Sequence, residues 1–158
     1  MQVHNRIVGV LAAITLMAAD PFAAERERMV REQIEARGVR NPEVLRAFRT
    51  TPRHEFMPEP SRKWAYEDRA VPIGYAATIS QPYVVALMTE LLQASKNHRV
   101  LEVGTGSGYQ AAVLSRLVSR VYTIEIVPAL AASARDNLKR LGYGNVIVRQ
   151  GDGYKGWP

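Results

Sequence analysis

Between Arg99 and Leu114 the chain runs Arg99-Val100-Leu101-Glu102-Val103-Gly104-Thr105-Gly106-Ser107-Gly108-Tyr109-Gln110-Ala111-Ala112-Val113-Leu114. No other stretch restricts the possible folds as sharply. Val100, Leu101 and Val103 form a nearly continuous apolar run that stops at alternating glycines, after which Ala111, Val113, Leu114 and Leu117 follow a helical pattern. The expected unit is a buried strand, a tight turn and a helix. Glycines in such a turn remove Cβ atoms, so the backbone can lie against a ligand while the amides at the helix start point at it. The pattern predicts a site for a nucleotide-like cofactor.

Spacing narrows the choice of cofactor. A dinucleotide fingerprint would place its third glycine at position 109, which holds Tyr109. Here the glycines are Gly104, Gly106 and Gly108, and Glu102 stands two positions ahead of them at the carboxyl end of the strand. A carboxylate there repels the phosphates of a dinucleotide but attracts an ammonium or sulfonium group. S-adenosylmethionine carries both.

The 158 residues, 47% of them hydrophobic, suffice for one domain with a core. The absence of cysteine excludes disulfides, thiolate metal sites and cysteine nucleophiles, and no metal site is expected. The net charge of +6 raises the possibility of a nucleic-acid partner, but the basic residues are dispersed without a compact Lys/Arg run, so none is expected.

Three segments follow from the change in composition. Residues 1–24 resemble a signal-peptide leader: Ile7 to Ala19 is uncharged, follows Arg6, and is too short to span a bilayer. A functional leader implies an exported, periplasmic protein, although Pro21 and Phe22 sit where cleavage favours small residues. The alternative is an extra N-terminal helix on a cytoplasmic protein. Residues 25–95 read as an N-terminal helical region, which a family resemblance makes the substrate side, and residues 96–158 as a cofactor-binding region. Within the second segment, Met29, Val30 and Ile34 give a helix stopped by Gly38, and Asn41-Pro42-Glu43 reads as cap, first-turn proline and first-turn acid of another. The prolines from Pro52 to Pro60 make an ordered connector carrying His54, which reads as a loop histidine more than a catalytic one. Residues 64–75 read as an irregular lead-in. Ser80 is then expected to cap a helix that has Pro82 in its first turn and lays Val84, Leu87, Met88 and Leu91 along its apolar stripe.

Four motifs occur together in order: Pro52-Arg53-x-x-Phe56-x-Pro58, Thr78-Ile79-Ser80-Gln81-Pro82-Tyr83, Leu101 to Tyr109, and Gly151-Asp152-Gly153. From about Arg28 to its last residue the chain resembles the protein-L-isoaspartate O-methyltransferases, a family of class I S-adenosylmethionine-dependent enzymes. The Thr78 to Tyr83 block is far more specific than the glycine turn. Gly74-Tyr75-Ala76-Ala77 departs from the glycine-richer lead-in of bacterial members. The resemblance implies an α/β fold, a Rossmann-like parallel sheet with helices on both faces, preceded by N-terminal helices. It also implies a sheet order of 3-2-1-4-5-7-6 with the glycine-loop strand central. Residues 96–158 would supply only the first half of that sheet, so the 158-residue chain is expected to be a fragment with Val100 to Val103 on an unpaired apolar edge and with weak or absent activity unless it is completed in trans.

The same resemblance implies the chemistry: methyl transfer to the free carboxyl of L-isoaspartyl residues in damaged proteins. It places Ser80 on the substrate side as the catalytic residue, and Ala77, Thr78, Ile79, Ser80, Glu102, Gly104, Gly106, Gly108, Glu125, Asp152 and Gly153 around the cofactor. Glu125 ends a second expected strand, Arg120 to Glu125, where a carboxylate can accept both ribose hydroxyls. Asp152, after a third strand from Asn145 to Arg149, would lie beside the adenine. A carboxyl group with a pKa near ~4 is already ionised at neutral pH, so the reaction needs no general base. Other class I methyltransferases, acting on RNA or a small molecule, and a cofactor-binding module without catalysis are the alternative readings.

Overall fold

The computed structural model describes residues 20–157. The leader-like stretch, residues 1–24, falls outside the described residues except for its last five. Helix α1 (Ala23–Met29) runs on through a π turn at Val30–Ile34 and a 3₁₀ turn at Glu35–Arg37 to Gly38, which takes the left-handed φ of 100° that ends helices. Met29, Val30 and Ile34 are buried, as their spacing requires. Helix α2 (Pro42–Thr50) is capped as its sequence predicts: the Glu43 and Val44 N–H groups donate to Asn41 Oδ1 at 2.9 and 3.4 Å, and Val44, Leu45, Ala47 and Phe48 enter the core.

The proline-punctuated connector contains two 3₁₀ turns, Arg53–Phe56 and Glu59–Trp64. The irregular lead-in expected next is instead a small antiparallel hairpin, β1 (Val71–Gly74) and β2 (Ala77–Ile79), with Val71 opposite Ile79 and a register break between Pro72 and Gly74. It escapes a sequence reading because β1 contains a proline and because the turn is made by Tyr75 and Ala76, both non-glycine residues at positive φ.

Helix α3 (Pro82–Leu91) corrects two expectations. Its N-cap is Gln81, not Ser80; Gln81 makes no side-chain cap bond, and its Nε2 donates to Asp68 Oδ1 at 2.7 Å. Its buried face consists of Pro82, Val85, Ala86 and Thr89, whereas Val84, Met88 and Leu91 of the expected stripe are exposed. The helix is apolar on both sides, and packing against α2 and the turn after α1 decides which side goes in.

The remaining elements are β3 (Arg99–Val103), α4 (Tyr109–Ser115), β4 (Arg120–Glu125), α5 (Pro128–Arg140) and β5 (Val146–Gln150). The three strands are parallel in the order β3-β4-β5, with Leu101, Tyr122 and Ile147 in register. This is the α/β arrangement expected from the sequence. Val121, Thr123, Ala111 to Leu114, Leu130 and Leu138 are buried where α4 and α5 meet the sheet. On the opposite face Leu101 and Ile147 are partly open, and the Trp157 ring sits 4.9 Å from that of Tyr122. β3 forms an edge of the described sheet, and Val103 is 65% exposed.

Candidate active site

A cleft of about 490 Å³ opens between the β2–α3 junction and the carboxyl end of β3. One wall carries Thr78, Ile79 and Ser80, and the other carries Glu102, Val103, Gly104, Thr105 and Gly106. Val103 and Gly104 are shared with a second hollow of about 460 Å³, lined by Ile124, Glu125, Ile126 and the turn from Gly151 to Tyr154. Motifs far apart in sequence therefore line two adjoining depressions at the carboxyl ends of the parallel strands, the usual position for ligands in open α/β sheets.

The glycine turn is held by backbone and carboxylate bonds. The N–H groups of Gly104 and Thr105 both donate to the Ile124 carbonyl, at 2.8 and 3.2 Å. Glu125 is 5% exposed; its Oε2 accepts from Gly106 N–H at 2.8 Å and its Oε1 from Val127 N–H at 2.9 Å. The carboxylate thus ties the turn to β4 while keeping free lone pairs toward the second hollow. Gly104, Gly106 and Gly108 all have positive φ (92°, 53° and 87°), which a residue with a Cβ adopts only under strain. A Cβ at Gly104 would meet nothing within 4 Å, so the space beside it is open to a ligand.

Glu102 is the pivot of a buried polar chain. Thr123 Oγ1 donates to Glu102 Oε2 at 2.5 Å, and Thr105 Oγ1 lies 2.6 Å from Thr123 Oγ1, placed to donate to it in turn. Burial pushes the Glu102 carboxyl up to about 7; the Thr123 hydrogen bond pulls it down and the Glu125 charge pushes it up further. Asp152 Oδ1 accepts from Tyr154 N–H at 3.0 Å and so shapes the turn that closes the second hollow.

Most of the residues singled out from sequence meet here. Thr78, Ile79, Ser80, Glu102, Gly104 and Gly106 line the cleft, and Gly104, Glu125, Asp152 and Gly153 line the hollow. Two stand apart. Gly108 is the N-cap of α4 and faces α5, where an added Cβ would come within 3.2 Å of Leu138 Cδ1; Ala77 is paired with Gly74 in the hairpin. Ser80 is exposed and its hydroxyl makes no hydrogen bond within the chain among the described residues, which leaves it free for a ligand. His54 lies outside the cleft, buried with Nδ1 2.7 Å from Tyr66 Oη and its ring 4.4 Å from that of Phe22; burial lowers its pKa. Thr105 and Thr123 were not among the expected residues. The available signal is the parallel register, which pairs Glu102 with Thr123 once both strands are aligned.

The family model for protein-L-isoaspartate(D-aspartate) O-methyltransferase matches residues 24–158. The chain belongs to this family. Curated isoaspartate methyltransferase relatives include one from Synechococcus sp. (strain JA-2-3B'a(2-13)), 56% identical over 89% of this chain and 58% of its own length. Another, from Rhodopseudomonas palustris (strain HaA2), is 58% identical over 89% of this chain and 57% of its own. The chain therefore spans just under three fifths of the length of these two relatives. A solved protein-L-isoaspartate O-methyltransferase superposes with a TM-score of 0.77 at 35% identity, covering 84% of this chain and 44% of that one.

Proposed function

We propose that the protein transfers a methyl group from S-adenosylmethionine to the free carboxyl group of L-isoaspartyl residues in other proteins. One observation carries this reading: the Thr78-Ile79-Ser80 segment and the Glu102 to Gly106 turn line the same cleft, so the most specific motif in the sequence faces the cofactor motif.

The residues present fit the cofactor. Three carboxylates, Glu102, Glu125 and Asp152, stand at or just beyond the carboxyl ends of successive parallel strands, and apolar walls from Val103, Ile124 and Ile126 separate them. Bound S-adenosylmethionine supplies an electrophilic methyl group on a sulfonium centre. Glu102 offers its negative charge to the cationic amino-acid end, Glu125 keeps lone pairs for ribose hydroxyls, and the Asp152-Gly153 turn borders the flat apolar hollow suited to adenine. The open space at Gly104 lets the ligand pass between cleft and hollow.

On the substrate side, the Ser80 hydroxyl can donate to one oxygen of the incoming carboxylate. The start of α3 beside it adds unpaired backbone amides and a favourable dipole. Because that carboxylate is already ionised, the chain's task is alignment, and positioning alone supplies about 7–11 kcal/mol in well-oriented reactions. The basic residues form no compact Lys/Arg run of the kind that favours a nucleic-acid substrate.

The test is methylation of an isoaspartyl peptide alongside its aspartyl isomer and RNA. Transfer confined to the isoaspartyl peptide is expected; methylation of RNA instead, or cofactor binding with no turnover on any of the three, overturns the reading. Replacing Ser80→Ala should lower kcat at least tenfold while the affinity for S-adenosylhomocysteine changes less than twofold. Equal loss in both would make Ser80 a structural residue.

A further inference from the structure

The Pro52-Arg53-x-x-Phe56-x-Pro58 motif has no place in the chemistry above, and its arginine is in an unusual position. Arg53 is fully buried. Its Nε donates to the Ala65 carbonyl at 2.7 Å, but Nη1 and Nη2 are buried with no hydrogen-bond partner, and among the described residues no carboxylate forms an ion pair with it. Burial alone lowers its pKa; only Tyr109 and Tyr66 oppose that shift. A buried cation without a counter-charge carries a desolvation penalty that an apolar side chain of similar volume would avoid. Stability of the fold is therefore a poor explanation for an arginine at this position.

What the guanidinium does touch is Tyr109. Its central carbon lies 5.0 Å from the Tyr109 ring centroid, within cation–π range, and the rings of Phe56 and Phe48 meet the same tyrosine edge-on at 5.8 and 6.1 Å. Tyr109 is the first residue of α4 and directly follows Gly108, the last glycine of the turn. That turn contains three glycines at positive φ and so has many alternative conformations to lose. Its middle is tied by the Gly106 N–H bond to Glu125, and its downstream end is tied through Tyr109.

We propose that Arg53 is a positioning residue for the cofactor: by stacking on Tyr109 it fixes the downstream end of the Gly104 to Gly108 turn. The proposal rests on the reading of that turn as the S-adenosylmethionine site. Tyr109 itself lines the cleft, so a shift of its ring or of the start of α4 moves the turn's amides relative to the ligand.

Arg53→Met separates this role from a structural one, because it removes the charge and the planar group while keeping volume. The melting temperature should stay equal or rise, the dissociation constant for S-adenosylhomocysteine should increase about tenfold, and amide hydrogen exchange at Gly106, Gly108 and Tyr109 should quicken without ligand, with α2 and α5 unchanged. Tyr109→Leu should give the same loss of affinity, and the double variant should lose no more than either single one. Parent-like affinity and exchange in Arg53→Met overturns the proposal. So does unfolding of both single variants, which would make the pair a structural element. An unmodified protein that fails to bind S-adenosylhomocysteine defeats the cofactor reading and the proposal together, whereas an unmodified protein that binds it beside an unaffected Arg53→Met defeats the proposal alone.

Discussion

Glu102 shows how one half-buried carboxyl can link cofactor binding to pH. With its carboxyl raised to about 7, a large fraction is protonated near neutrality in the free protein, and only the ionised form attracts a cationic ligand end. Affinity for S-adenosylhomocysteine, whose cationic end is its α-ammonium group, should therefore weaken progressively as pH falls through about 7, which calorimetry in a pH series kept below the titration of that ammonium would read directly. Glu102→Gln should bind more weakly at pH 8 and lose the pH dependence. Stability runs the other way. A carboxyl raised in the folded state holds its proton between 4.5 and about 7, where the unfolded chain has lost it, so its contribution to stability falls as pH rises through that window and levels off above it. The threonine chain that orients Glu102 is invisible in the linear sequence, because Thr105 and Thr123 become neighbours only when β3 and β4 align.

At the scale of elements, the β1–β2 hairpin holds strain next to the substrate motif. Tyr75 and Ala76 occupy left-handed conformations, φ 53° and 57°, in the turn that leads into Thr78. Ala76→Gly should stabilise the protein by about 1 kcal/mol, read as a shift of the urea midpoint at constant slope. No change would mean that the turn relaxes at no cost. Elements whose boundaries rest on local chemistry were legible in advance. Asn41-Pro42-Glu43 caps α2 because a cap bond spans two or three residues. The start of α3 was not: Ser80 has the right chemistry for a cap, but the helix begins one residue later and the Gln81 side chain donates to Asp68. The buried face of α3 was equally inaccessible, since both sides are apolar and only the neighbouring helices break the tie.

For the molecule as a whole, the apolar surface beside β3 sets the solution behaviour of the 158-residue chain. Leu91 is 71% exposed, Leu101 47% and Met88 49%, alongside a strand that has one edge unpaired among the described residues. Such an edge templates association. Light scattering should show mass rising with concentration, and Leu91→Lys with Leu101→Lys should suppress the rise; a monomer at all concentrations would show that this surface is tolerated by water.

The strand, glycine turn and helix from Arg99 to Leu114, the carboxylate of Glu102 at the end of that strand, and the cap of α2 were all determined by the sequence alone, because each depends on residue types at short, fixed spacing; Asp152 was picked out by the family resemblance and not by spacing. Tertiary structure decided the rest: that Ser80 is a free hydroxyl rather than a cap, that Ala77 and Gly108 stand outside the cleft, that Glu125, expected as a ribose ligand, also braces the glycine turn, and that Arg53 lies on Tyr109. These depend on which side chains and surfaces meet once the elements are assembled, where packing and desolvation, not local propensity, choose between alternatives that the linear sequence leaves equal.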